Sequence, residues 1–319
     1  MSTEQRQTIL NLYNSGIMPD VIALELDISQ DEVMRIIEKE KNEQERRKTS
    51  AKNLSEVPLL SRFYLDEVVN IDKAIKQAQS RMWGALNVGS EFNISMEETQ
   101  SILEIYARSK VSLVILHVDL VESTRLLMTL PVDRLATIIQ AFSQEMSLMI
   151  AAYGGYVLKY VGDAILAFFV VDSSDVYLPC INAVNCACSM IKVIREGINP
   201  ILSQKDYPEL NVRIGIDVGE NAVVQYGWET HALDRKIVLR KPLLDLLGYT
   251  MSIATKMTAL ANPDQIIIGQ LVYETLEDKQ KSSFRLLTVS PVVWSYFSNN
   301  TGTIYHLYVS ITENESRRC

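Results

Sequence analysis

Two aspartates stand where carboxylate chemistry would be done. Asp119 closes an apolar run, Val111 to Val118, that reads as a buried strand, so its side chain sits where that strand emerges from the core. Asp163 follows Gly162 in the turn between two further apolar runs, Tyr156 to Val161 and Ala164 to Val170. This reads as a hairpin with glycine at the first central position of a two-residue turn. In a β-α-β-β unit the first strand lies beside such a hairpin, which lets the two carboxylates converge. Carboxylates sharing a site repel unless one is protonated or a cation bridges them. Mg²⁺ is the hard cation that takes carboxylate, carbonyl and phosphate oxygens. Two such ions about 4 Å apart can activate an attacking oxygen and stabilise a departing phosphate. The simpler alternative has Asp119 capping the turn after its strand and Asp163 as an ordinary hairpin residue.

The elements that must position these residues follow from periodicity. A helix over Val132 to Tyr153 has Leu135, Ile138, Ile139, Phe142, Met146 and Met149 on one face, and Gly154-Gly155 ends it. After the hairpin come a helix over about Asp175 to Glu196 and strands over Val212 to Asp217 and Ala222 to Tyr226. A helix over Tyr249 to Leu260 and a strand over Gln265 to Ile268 follow, and the last strands are expected near Phe284 to Ser295 and Thr303 to Ser310. The order is a ferredoxin-like βαββαβ with an extension, an α/β (α+β) fold. Three regions are expected: a helix-turn-helix-like module over 1–45, a helical connector over 46–110, and the main domain over 111–312. In the first, helical spacing at Ile9, Leu10 and Leu12 breaks at Gly16. A short helix over Asp20 to Leu26 and a turn at Asp27-Ile28-Ser29 follow, and Ser29 is placed to cap a third helix starting at Gln30. Residues 41–53 hold no large apolar side chain and read as solvated. Helical patterns return over Phe63 to Leu86 and Met96 to Tyr106.

Composition sets limits. Apolar residues make up 47% and charged residues 22% of 319, the balance of an ordinary globular protein. A net charge of −8 gives no bulk basic surface for nucleic acid, so any anion site must be local. Cys180, Cys186, Cys188 and Cys319 lack zinc-site spacing and read as buried thiols of a reducing compartment. The start is not a signal peptide, and no apolar run is expected to span a bilayer, so a cytoplasmic location is expected with no membrane contact. His117 and His306 read as packed strand residues rather than ligands.

Five segments, in order and compatibly spaced, resemble motifs of the class III adenylate and guanylate cyclases. His117-Val-Asp119-Leu-Val-Glu-Ser-Thr124-Arg125 is similar to their first metal motif, and Gly154 to Phe168, with Lys159 and Asp163, to their second. Val212-Arg-Ile-Gly-Ile-Asp-Val-Gly219 resembles the strand after their middle helix. Asp245-Leu-Leu-Gly248-Tyr-Thr-Met-Ser252-Ile-Ala-Thr-Lys256 resembles the segment carrying their base and transition-state residues, and Ala261 to Ile268 the turn and strand that follow. The resemblance implies a head-to-tail homodimer with composite sites, converting ATP to 3′,5′-cyclic AMP and pyrophosphate. It implies two Mg²⁺ (or Mn²⁺) on Asp119, Asp163 and the Leu120 carbonyl. It also implies that Lys159 and Asp245 of the facing subunit read the base, a pair that suits adenine because Asp245 accepts from the exocyclic amine while Lys159 donates to a ring nitrogen.

The sequence departs from that family at three places. Ser252 stands where the family usually has Asn, and Lys256 where it has Arg; the two share a helix face at i, i+4. Lys keeps the charge of Arg without its planar fork, and losing a good electrostatic donor costs about 10²–10³-fold in rate. The usual triphosphate-binding Lys near the last strands has no counterpart in Pro291 to Phe297. Thr124 and Arg125, or the basic run His231, Arg235, Lys236, Arg240 and Lys241, are the alternatives for phosphate. Two other readings stay open: a degenerate nucleotide-binding regulator, and a DNA-binding regulator acting through the first module. The third helix of that module carries Asp31, Glu32, Glu38 and Glu40 against Arg35 and Lys39. That charge favours a protein partner over DNA phosphates.

Overall fold

The computed structural model describes residues 28–39, 70–89, 96–171, 175–233, 237–298 and 302–311, with a few single positions besides. For 229–233 and 237–241 it describes the backbone alone. Contacts divide the chain into two compact units, Met1–Arg62 and Phe63–Cys319.

In the first unit Ile9, Ile22, Ala23, Val33 and Ile37 bury one another. A helix occupies 30–39, and Ser29 Oγ caps it by accepting from the Glu32 amide at 3.3 Å. The other expectations for 1–53, the break at Gly16 and the charged stretch over 41–53 among them, lie outside the described residues.

The second unit opens with α1 (Ile71–Val88) and α2 (Glu97–Ile105). Then come β1 (Lys110–Leu120), α3 (Ser123–Thr129), α4 (Val132–Ala152), β2 (Tyr156–Val161), β3 (Ala164–Val170) and α5 (Tyr177–Val193). A π turn (Ile194–Ile198) leads into α6 (Asn199–Ser203). β4 (Val212–Leu233), β5 (Ile237–Leu247), α7 (Tyr249–Leu260), β6 (Gln265–Gly269), α8 (Gln270–Thr275), α9 (Asp278–Lys281), β7 (Phe284–Leu287) and β8 (Leu307–Ser310) complete it. The strand order is β2-β3-β1-β4-β6-β8-β7, with β5 on β4. The first four strands are antiparallel, in the ferredoxin-like order expected, and β6 joins β4 in parallel.

Central β1 is buried on both faces, which is why it reads as an unbroken apolar run. Its side chains alternate between two cores. Val114, Leu116, Val118 and Leu120 face the core built with α4 and α5. Val111, Leu113 and Ile115 face the one closed by α2 and α7. The same alternation sends His117 and Asp119 to the α7 side.

Four features differ from the sequence-based expectation. The segment expected as a connector supplies α1, whose Ala78 and Met82 are fully buried in the main core. Arg81 of α1 also grips the buried Glu145 of α4 with two nitrogens, at 2.5 and 2.7 Å. The two short strands expected over 212–226 are one long strand. Gly219-Glu220-Asn221 looks like a turn, but β1 pairs with β4 as far as Ala222, and the Asn221 amide is satisfied by the Gly219 carbonyl. The basic loop expected before Asp245 is the β4–β5 hairpin. There Arg235 and Lys236 lie outside the described residues, and the side chains of His231, Arg240 and Lys241 are not described. Finally, His306 is exposed just before β8, and buried Trp294 lies off the sheet, its indole donating to the Tyr305 carbonyl at 2.8 Å.

Two helical stretches, Val132–Ala152 and Tyr177–Ser203, are long and apolar enough to cross a membrane by length and composition, contrary to expectation. Over the most apolar 18-residue window of each, 56% and 61% is buried inside this fold, as in core helices.

Candidate active site

Asp119 is the penultimate residue of β1. On one side its Cα partner is Arg213 of β4. On the other, the ladder to β3 ends at Val118↔Ile165, two residues from Asp163 in the Gly162-Asp163 turn. Arg213 Nη2 donates to Asp119 Oδ2 at 2.6 Å, with both side chains about a quarter exposed. Asp163 Oδ2 is buried and has no partner among the described residues, and the same holds for Arg213 Nε. His117 lies beside them, its Nδ1 2.9 Å from Thr258 Oγ1 of α7. Burial pushes its pKa below the ordinary value, against the pull of Asp119 and Asp163. His117 is therefore a neutral wall of the site, the packed role its sequence context suggested.

A buried carboxylate oxygen without a donor costs free energy unless a cation or proton meets it. The donor set here is two carboxylates at adjacent strand ends, plus the Leu120 carbonyl where β1 stops. These are hard oxygens of the kind Mg²⁺ takes, and few enough that phosphate oxygens or water must complete the shell. Among the described residues no group of three or more His, Cys, Asp or Glu, at this place or elsewhere, is arranged to hold a metal ion by itself.

Lys159 and Asp245 form a second group. Lys159 Nζ donates to Asp245 Oδ2 in a short ion pair, and the Leu246 amide donates to the other carboxylate oxygen at 2.8 Å. A bulge in β2 between Val157 and Lys159 sets the direction of the lysine. A cavity of about 510 Å³ opens beside this pair, walled also by Leu158, Tyr226 and the first turn of α2.

Ser252 and Lys256 form a third group, on the exposed face of α7. Ile253, Ala254, Met257 and Thr258 take the inner face. Lys256 Nζ stands 5.6 Å from the centre of the Tyr296 ring, a cation–π distance. Thr124 and Arg125 are exposed in the first turn of α3, directly after Leu120, with Arg125 reaching Glu122 at 3.1 Å.

Sequence reasoning assigned no role to Arg213, whose signal was a charge inside the largely apolar strand run Val212 to Val218. It also passed over Asp217 on the same strand. Asp217 is fully buried, Tyr305 Oη donates to its Oδ1 at 2.6 Å, and its Oδ2 has no partner among the described residues. Burial pushes its pKa up to about 7.

A cytidylate cyclase of Escherichia coli is 28% identical over 132 residues, 40% of this chain and 27% of that protein. One of Staphylococcus aureus is 25% identical over 207 residues, 63% of this chain and 44% of that protein. The matched part therefore spans less than half the length of either relative. The crystal structure of the adenylyl cyclase CyaB from P. aeruginosa is 19% identical, with a TM-score of 0.49 over 64% of this chain and 96% of that one. The family model described as "Adenylate and Guanylate cyclase catalytic domain" matches residues 105–293, more than half of the chain. The chain thus belongs to the adenylate and guanylate cyclase catalytic domain family.

Proposed function

We propose that this nucleotidyl cyclase domain closes a nucleoside triphosphate whose base carries an amino group beside an unprotonated ring nitrogen. ATP is the first such substrate, yielding 3′,5′-cyclic AMP and pyrophosphate. The observation that supports the reading is that Asp119 and Asp163 both act on the buried His117, and that Asp163 has a buried oxygen lacking any described donor. Asp119, Asp163 and the Leu120 carbonyl would hold two Mg²⁺ (or Mn²⁺), which would supply Lewis-acid activation and charge neutralisation. The ribose 3′-hydroxyl attacks the α-phosphorus in line and gives its proton to solvent, the P–O bond to the β-phosphate breaks, and pyrophosphate leaves with that electron pair.

The residues of the chain divide the remaining work. Arg213 offsets part of the negative charge around Asp119, which limits the repulsion between the carboxylates before substrate arrives. Asp245 accepts from the amino group of the base while Lys159 donates to its ring nitrogen. Each keeps capacity after pairing with the other, because a carboxylate offers about four acceptor sites and an ammonium three donors. Guanine presents the opposite pattern and is disfavoured. Lys256 supplies positive charge to the α-phosphate, and Ser252 a hydroxyl to the ribose. Thr124 and Arg125 meet the triphosphate tail. Ser252 and Lys256 point away from the sheet that carries the carboxylates, so a second copy of the chain must supply them. That supports a head-to-tail homodimer.

CTP is a second substrate reading, favoured by the name cytidylate cyclase of the relatives. Cytosine shows Lys159 and Asp245 the same amino and ring-nitrogen pattern as adenine. The test is the purified protein with Mg²⁺ or Mn²⁺ and each of the four nucleoside triphosphates, with cyclic products resolved by mass. Product should form from ATP or CTP and be lost in Asp119→Ala and Asp163→Ala. Turnover that survives Asp119→Ala refutes the site, and nucleotide binding without pyrophosphate release marks a degenerate binder instead.

A further inference from the structure

The strands that carry Lys159 and Asp245 are not neighbours. Between β2 and β5 the sheet places β3, β1 and β4. No strand ladder therefore sets the distance between the two side chains. The element that spans them is α2, which lies ahead of the family-matched region beginning at residue 105.

Two consecutive residues of α2 reach in different directions, as neighbours about 100° apart on a helix do. Thr99 is buried, and its Oγ1 donates to the Val157 carbonyl at 2.9 Å, just before the bulge that aims Lys159. Gln100 spends both ends of its amide on one residue of β5. Its Nε2 donates to the Leu244 carbonyl at 3.0 Å, and its Oε1 accepts from the Leu244 amide at 3.0 Å. A strand residue points its N–H and C=O to the same side, so Gln100 acts as one added peptide unit on the edge of β5 facing away from β4. Leu244 immediately precedes Asp245. Gln100, with Met96 and Glu97, also lines the cavity that holds the Lys159–Asp245 pair.

We propose that α2 is a positioning element for base recognition, with Thr99 and Gln100 setting the separation of Lys159 and Asp245 and hence which base is turned over. This rests on the reading of that pair as the base-reading one. The hydrogen bonds of Thr99 and Gln100 go to strand backbone, so the expected signature is selectivity rather than general loss. The experiment measures kcat/KM of the full chain for ATP, CTP, GTP and UTP in the wild type, Gln100→Ala and Thr99→Val, with thermal unfolding alongside. Gln100→Ala removes two hydrogen bonds. It should lower kcat/KM for the preferred nucleotide about tenfold, mainly through KM, and narrow its lead over the others, while the protein still melts cooperatively. Gln100→Glu, which keeps the acceptor for the Leu244 amide, should recover part of that lead. Thr99→Val keeps the buried shape and tests the same point should Gln100→Ala not fold.

Equal losses for all four nucleotides, or an unchanged preference in both Gln100→Ala and Thr99→Val, overturn the proposal. Lys159→Ala and Asp245→Ala in the same assay separate the two failures. If they leave base preference intact, the base-reading assignment falls and this inference with it. If they alter preference while the α2 variants do not, this inference alone falls.

Discussion

The buried carboxyl of Asp217 makes stability depend on pH in a direction opposite to that of most carboxylates. Its ordinary value is 3.8 and burial raises it to about 7. That interval corresponds to a preference for the neutral acid of about 4 kcal/mol. The sign follows from proton binding. Between those two values the folded chain keeps the proton that the unfolded chain has lost, so stability falls as pH rises and levels off above about 7. Between pH 5 and pH 7 the fall is about 2 kcal/mol. His117 contributes with the opposite sign, because burial lowers its pKa and the unfolded chain protonates first. Asp217→Asn removes the carboxyl while leaving an oxygen to accept from Tyr305. Urea denaturation of both proteins at pH 5, 6, 7 and 8 isolates the effect, since His117 and every other group cancel in the difference. The variant should gain on the wild type by about 2 kcal/mol on going from pH 5 to pH 7, and by well under ~1 kcal/mol more above it. A difference that stays constant across the series refutes the argument, and with it the burial of Asp217 as an isolated acid.

Other consequences concern α1 and the thiols. Arg81→Ala strands Glu145, which is 3% exposed, without its guanidinium. Arg81 itself is 41% exposed, so the cost should sit near the low end for a broken buried pair, about 3 kcal/mol by chemical denaturation. Burial pushes the Cys180 thiol up to about 12 and raises that of Cys186 as well. Iodoacetamide at pH 8, followed by peptide mass mapping, should therefore label exposed Cys188 well ahead of both in the folded protein. Equal labelling of the three would contradict their placement.

The order of elements, the hairpin at Gly162-Asp163 and the cap at Ser29 were legible because each is written in a few adjacent residues. Periodicity of two or of 3.6, a glycine in a turn and a hydroxyl before a helix are local signals, and a motif such as Lys159 with Asp163 four residues on travels inside one hairpin. The tertiary structure decided what depends on distant segments meeting. Arg213 reaches Asp119 across 94 residues, and Gln100 reaches Leu244 across 144. α1 reads as a connector by its position, but it is a core helix because α4 offers Glu145 and an apolar face to receive it. The apparent turn at Gly219 stays extended because β1 pairs through it. Asp217 looks like any strand aspartate until Tyr305 and the surrounding strands close over it. Local chemistry proposes elements and motifs; which charge is neutralised, which is buried and which strand a helix grips are set only by the closed chain.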